Sequence, residues 1–275
     1  MSAATLAPTR TTAPSARRAG RVAQTLVVCH RWVVGTVRQP WGLGVSVLQP
    51  LVWIVLFGNV FESVASVPGF GADDYLTFLV PGVLMMTVLY SGAWAGTGFI
   101  DDIRSGVMDR LLTSPVRRSA LVLGQLLQQL LVTGVQGVVV LAIAAAAGAR
   151  FDGGLLGLAV ALAASLLLAA AFCSLSAAVA LLARDQTALI GISTTIVLPA
   201  TFVSTALMPT AVLPSWVESA ARYNPLTWAT EIARTAMSPA VDWGLVGTRA
   251  ALLTVLATAV AAWSVGAMRR YQRSL

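Results

Sequence analysis

Residues 153–183 read GGLLGLAVALAASLLLAAAFCSLSAAVALLA, 31 consecutive positions without Asp, Glu, Lys, Arg or His. A bilayer core needs about 20 apolar residues in helical conformation, so this stretch can cross one with turns to spare. Five further runs without an ionised side chain lie on either side of it, at 39–61, 75–100, 119–149, 186–217 and 250–268. The six runs predict six transmembrane helices, at about 41–61, 77–99, 119–147, 155–182, 187–207 and 244–267. The expected fold class is an all-α polytopic membrane protein. Strands of a membrane β-barrel alternate polar and apolar residues over about 10 positions, which these runs do not. The chain has 275 residues, 57% hydrophobic and 11% charged, against about 25% charged in an ordinary soluble domain. A water-soluble fold is excluded.

All 18 basic residues are arginine. Without lysine there is no nucleotide-binding P-loop and no Schiff-base chemistry. One histidine, His30, cannot supply a paired-histidine metal site, and Cys29 and Cys173 are too far apart in sequence to suggest a zinc motif. No metal, cofactor or catalytic residue is expected on this chain. The net charge of +7 is explained by topology rather than by nucleic acid. On a six-helix frame, 14 of the 18 arginines fall on the side of both termini, and that side is expected to be cytoplasmic. Seven of the eleven acidic residues, among them Glu62, Asp73 and Asp74, fall on the other side. Residues 1–21, with Arg10, Arg17, Arg18 and Arg21 among Pro, Ser and Thr, read as a disordered cytoplasmic tail, and 269–275 as a short C-terminal one.

Three segments are not spans. Residues 22–39 show a helical pattern in which Gln24, Arg31 and Arg38 recur every seven residues, while Val22, Leu26, Cys29, Val33 and Val37 follow another face. This predicts an amphipathic helix in the membrane interface, ending at Gln39-Pro40. Next, the loop 101–118 places Ile103, Val107 and Leu111 on one helical face beside Met108 and Leu112. Asp101 and Asp102 are expected at that helix's start, where the macrodipole favours carboxylates, with Pro115 at its end. A short helix held by two spans is a lever that a soluble partner can grip. Last, the stretch 208–243 holds two apolar-periodic pieces around Asn224-Pro225, expected to rest in the outer leaflet as re-entrant helices before the final span. Leu213, Trp216, Val217 and Ala220 lie on the first, and Leu226, Ala229, Ile232, Ala233 and Ala236 on the second. Glu231 and Arg234 are spaced for a local pair, as a lid or a gate. Arg249, just inside the last run, reads as snorkelling, with pairing to Asp242 or Glu231 as the alternative.

These features in this order resemble the permease subunit of type-2 ABC exporters, in the branch of daunorubicin/doxorubicin-resistance permeases. Asp109-Arg110-Leu111-Leu112-Thr113-Ser114-Pro115-Val116 is similar to that family's first-cytoplasmic-loop motif. Leu213-Pro214-Ser215-Trp216 and Asn224-Pro225-Leu226-Thr227, with Glu231 and Arg234, are similar to its pattern before the last span. The resemblance covers the chain from the interfacial helix onward and makes 40–268 a six-helix transmembrane domain. It implies a bacterial inner-membrane permease paired with a second copy, as homodimer or heterodimer, and bound to two ATPase subunits that use ATP and Mg. It also implies that Asp101, Asp102, Ile103, Arg104, Val107, Met108, Asp109, Arg110, Leu111 and Leu112 form the coupling helix. The interfacial helix, with Arg31 and Arg38, is a second contact. The implied cargo is a hydrophobic or amphiphilic compound, a drug above all; a lipid, polyketide or glycan is the alternative, and a passive channel or scaffold a lesser one.

Candidate path residues come from polar positions inside the runs. Thr187, Gly191, Thr194, Leu198, Thr201 and Thr205 step by three and four along the fifth run, with Phe202 near them. The second run offers Thr87, Tyr90, Ser91 and Trp94, and Gly92 and Gly96 spaced as GxxxG; the third carries Gln125, Gln129 and Gln136. Small and amide side chains equally serve helix packing in a bilayer. Charge-free runs leave no carboxylate for a proton relay.

Overall fold

The computed structural model describes residues 20–38, 40–60, 75–114, 116–208 and 214–273. Residues 1–19 of the expected tail 1–21, with Glu62, Asp73, Asp74, Pro115 and Leu213, lie outside the described residues. Eleven helices make up the described fold: α1 (Arg21–Val37), α2 (Pro40–Val60), α3 (Tyr75–Trp94), α4 (Thr97–Arg104), α5 (Val107–Thr113), α6 (Arg118–Ala146), α7 (Gly154–Ala183), α8 (Gln186–Phe202), α9 (Ser215–Ala221), α10 (Pro225–Met237) and α11 (Trp243–Arg273). The chain is an all-α, multi-pass membrane protein.

Six transmembrane helices are not found. Among the described residues, four are long and apolar enough to cross a membrane: Tyr75–Arg104 (α3 with α4), Arg118–Ala146, Gly154–Ala183 and Trp243–Arg273. The fifth expected span is α8, whose 17 residues reach only about 26 Å, short of a hydrocarbon core of about 30 Å. Pro199 lies in its last turn, and the helix gives way at Val203. The first expected span coincides with α2, which is not among the four; several of its side chains lie outside the description. A charge-free run records apolarity, not where a helix breaks.

The bundle has two ends, here called basal, where α4 and α5 lie, and distal, where α9 and α10 lie. α3 is its axis: Leu79, Val80, Leu84, Met85, Val88 and Leu89 are all fully buried. Lipid tails give helices little hydrophobic reason to associate, so close packing through small residues does the work. Gly92 of α3 packs on Phe172 and Cys173 of α7, and Gly96 packs on Ser176, where a Cβ would stand 2.3 Å from the carbonyl oxygen. The GxxxG spacing is therefore a packing seam. At the distal end, Cβ atoms on Gly153 and Gly157 would stand 2.0 and 2.1 Å from the Ala236 carbonyl oxygen. A large apolar cluster fills the middle and distal bundle, and a smaller one around Phe99, Ile100, Met108, Leu181, Met268 and Tyr271 fills the basal end.

Candidate functional site

The single helix expected near 101–112 is broken in two. α4 ends at Arg104, Gly106 adopts a left-handed φ of 68°, and α5 restarts at Val107. Asp101 and Asp102 thus sit in the last turn of α4, where the macrodipole opposes carboxylates rather than favouring them. Asp102 is buried and held by Arg31 of α1, whose two terminal nitrogens donate to both carboxylate oxygens, one at 3.0 Å. Arg104 donates to Gln186 Oε1 at 2.9 Å and lies 3.8 Å from the Asp185 carboxylate. Met108 is fully buried in the basal cluster, and Ile103, Leu111 and Leu112 pack against it. Asp101, Arg104, Asp109, Arg110 and Thr113 face outward. Of the expected coupling residues, Asp101, Arg104, Asp109 and Arg110 make a surface, Asp102 is turned inward onto Arg31, and Ile103, Met108, Leu111 and Leu112 anchor it.

α1 is amphipathic, and its polar face is the one that meets the rest of the chain. Gln24 accepts from the Arg117 backbone N–H at 3.1 Å, Thr36 accepts from Gln128 at 2.9 Å, and Arg31 holds Asp102, so this polar face meets protein. Val28 and Cys29 are buried against α6, where Gly124 lets Val28 approach. Val22, Val27 and Val37 are 72%, 70% and 65% exposed, and Arg38 is exposed too. Sequence periodicity defines two faces; which one meets the protein depends on partners far along the chain. Trp32 completes the joint: Arg31 sits 4.6 Å over its ring, its edge meets Phe99 at 6.0 Å between centroids, and Gly98 makes room for it.

Between α3 and α4 the helix opens at Ala93–Gly96, and side chains from three helices take up the freed groups. The Ala93 carbonyl accepts from Ser176 at 2.6 Å and from Ser193 at 2.9 Å. Ser176 Oγ in turn accepts from the Gly96 N–H at 2.9 Å, and Gln125 donates to the Ala95 carbonyl at 2.5 Å. Gln129 donates to Ser91 at 2.9 Å. Ser91, Gln125 and Gln129 are thereby fixing groups between helices. Gln136 is buried on the same helix, its amide oxygen without a partner among the described residues.

The polar face of the fifth run does not persist. Thr187 and Gly191 are exposed and Thr194 is half-buried, whereas Thr201 and Thr205 are 4% and 2% exposed. Thr201 donates to its own helix, at the Val197 carbonyl. Thr205 lies beyond the end of α8, so helical periodicity no longer relates it to Thr194. Phe202 is 71% exposed. On α3, Thr87 donates to the Val83 carbonyl at 2.8 Å, and Tyr90 and Trp94 form an edge-to-face pair 6.1 Å apart, Trp94 being exposed.

Asn224 caps α10, accepting from the Leu226 N–H at 2.9 Å, while its amide donates to the carbonyls of Ala200 and Val203 at 2.6 and 2.5 Å. These are carbonyls at the end of α8, which no further helical turn serves. Arg234 does the same one layer on: it donates to Thr205 O at 3.1 Å and Phe78 O at 3.4 Å and lies 3.8 Å over the Phe78 ring. Burial pulls its pKa down to about 10 against the raising effect of Glu231, so it stays cationic at neutral pH. The local Glu231–Arg234 pair is replaced by a longer-range one, Glu231–Arg249 at 2.7 Å, which takes Arg249 away from snorkelling. Sequence reasoning missed Ser176, Ser193, Gln128 and Trp32; serines in an apolar run carry no signal until the helix facing them is known.

The described residues form a membrane bundle with a broken basal helix pair, a helix latched to it through Arg31 and Asp102, and a distal helix pair clasping the ends of its inner helices. The chain belongs to the ABC-2 type transporter family, whose sequence model matches residues 23–238. It is 28% identical to the daunorubicin resistance ABC transporter permease protein DrrB1 of Streptomyces coeruleorubidus, over 93% of this chain and 88% of that one. It is 25% identical to the "Probable doxorubicin resistance ABC transporter permease protein DrrC" of Mycobacterium tuberculosis, over 82% and 80%. Identity to the ycf38 transport permease of Cyanophora paradoxa, whose name states no substrate, is 27% over 76% and 72%. The chain is a permease subunit of an ABC transporter and not its ATPase.

Proposed function

We propose that this permease exports an amphiphilic drug across a bacterial inner membrane, as a dimer of permeases standing on two ATPase subunits. The names of its relatives support the drug class. The arginine distribution supports a cytoplasmic basal end, with both termini on that side. α5 and the outward charges Asp101, Arg104, Asp109 and Arg110 receive the ATPase. Met108, Leu111 and Leu112 carry its movement into the basal core, and the Arg31–Asp102 latch carries it into α1. Thr87, Tyr90, Trp94, Thr187 and Thr194 face the drug, and Asn224, Glu231 and Arg234 hold the distal exit.

The observation that carries this reading is α5 itself, a helix set off by a left-handed glycine, charged outside and plugged inside by Met108. Leu111→Asp puts a carboxylate against that core. In inverted vesicles holding permease and ATPase, ATP-driven doxorubicin uptake is expected to fall at least tenfold with the variant still present in the membrane. Uptake equal to wild type overturns the coupling assignment.

A further inference from the structure

α4 is cut off from α3 by the opened turn at Ala93–Gly96, so its other attachments decide where its movement goes. Two of them lie on α8. At the base of α4, Arg104 donates to Gln186 Oε1 at 2.9 Å, a charge-assisted bond. Its second partner, Asp185 at 3.8 Å, adds little, since both side chains are half exposed. At the top, Ser193 donates to the Ala93 carbonyl of the opened turn at 2.9 Å. Gln186, Leu189 and Ser193 step by three and four, so one face of α8 carries all three. Leu189, between the two ties, is fully buried in the basal cluster with Phe99 and Ile100 of α4.

The turn behind Gln186 leaves no play. Only Arg184 and Asp185 separate α7 from α8. Arg184 closes α7 through a 2.9 Å bond from its N–H to the Ala180 carbonyl, at a φ of 55°. It is the one non-glycine residue with a positive φ among the described residues, a conformation that strains an L side chain. Such a residue persists where its surroundings fix it, and the Arg184 guanidinium lies 4.6 Å over the Tyr271 ring of α11. Asp185 then caps α8, accepting from the Ala188 N–H at 2.8 Å. Both helix ends are closed within two residues.

We infer that α4 and the first two turns of α8 move as one body, with Gln186 the positioning residue at its foot. The inference rests on the coupling reading above and says where the lever's stroke arrives: at the helix whose outward side carries Thr187 and Thr194. α3, with Leu84, Met85 and Leu89 fully buried, stays behind.

The test measures distances between spin labels on the intact permease–ATPase complex in proteoliposomes, with Cys29 and Cys173 replaced by alanine. One pair joins Ser105→Cys, at the base of α4, to Val135→Cys on α6. The other joins Ile190→Cys on α8 to the same reference; all of these sites are exposed. Trapping the ATPase subunits with ATP and vanadate is expected to shift both distances together. Gln186→Leu is expected to keep the Ser105 shift and shrink that of Ile190, and Gln186→Leu with Ser193→Ala to abolish the latter. Gln186→Glu, which keeps an oxygen for Arg104, is expected to keep both. An Ile190 shift equal to wild type in the double variant overturns the inference. So does an Ile190 distance that stays fixed in the wild type while that of Ser105 changes. A Ser105 distance that stays fixed as well overturns the coupling reading itself and is told apart by that.

Discussion

The Arg31–Asp102 pair joins residues 71 positions apart and closes on a carboxylate that is nearly buried. Arg31 itself remains about a third open to solvent, so part of the charge attraction is screened. Removing Arg31 leaves Asp102 unpaired in the last turn of α4, where the helix dipole opposes it. Arg31→Ala is expected to destabilise the basal end by about 1–3 kcal/mol, the range for hydrogen bonds to a charged group. Arg31→Lys recovers only part, because a point charge cannot bind both oxygens in parallel. The double variant Arg31→Ala with Asp102→Ala is expected to be more stable than Arg31→Ala alone. Thermal unfolding of the detergent-solubilised protein measures all three, and equal midpoints across the series would show that the pair contributes nothing.

At the scale of elements, the opening of α3 at Ala93–Gly96 separates a rigid axis above from a lever below. Its neighbours are fitted to it atom by atom. Gly96→Ala drives a Cβ against the Ser176 carbonyl, which is backbone and cannot step aside, whereas at Gly92 the nearest atom stands 3.2 Å away. Overpacking costs about 1–3 kcal/mol, so Gly96→Ala is expected to lower the unfolding midpoint well below that of Gly92→Ala. Similar midpoints would refute the fitted hinge. How much of this was legible follows from the kind of signal. The GxxxG spacing and the Asn224-Pro225 turn are local, and the chain shows them without folding; the break at Gly106 is missed because the apolar spacing runs on across it. The end of α8 at Val203 depends on Asn224 and Arg234, which arrive from elsewhere to take up the freed carbonyls. The contacts of the polar face of α1 depend in the same way on Asp102, Arg117 and Gln128. Hydropathy alone counted six spans because it cannot tell an apolar helix from one that stops short.

On the scale of the whole molecule, the two ends are predicted to face opposite compartments. With Cys29 and Cys173, both buried, replaced by alanine, Ser105→Cys is expected to react with a membrane-impermeant thiol reagent only in inverted vesicles. Tyr223→Cys, at an 81% exposed site on the distal side, is expected to react only in right-side-out ones. Labelling of both from one side would overturn the orientation. The two ends also differ in how they hold α8. Its start is tied through Asp185 and Gln186, its middle through Ser193, and its finish through Ala200, Val203 and the following Thr205. Among the described residues, the side chains from Thr194 to Pro199 make no polar tie to another helix, and Val197 is buried in the apolar cluster. A rod fastened at base, mid-length and tip has slack only in the stretch between the last two ties, so bending of α8 is expected to concentrate between Thr194 and Pro199.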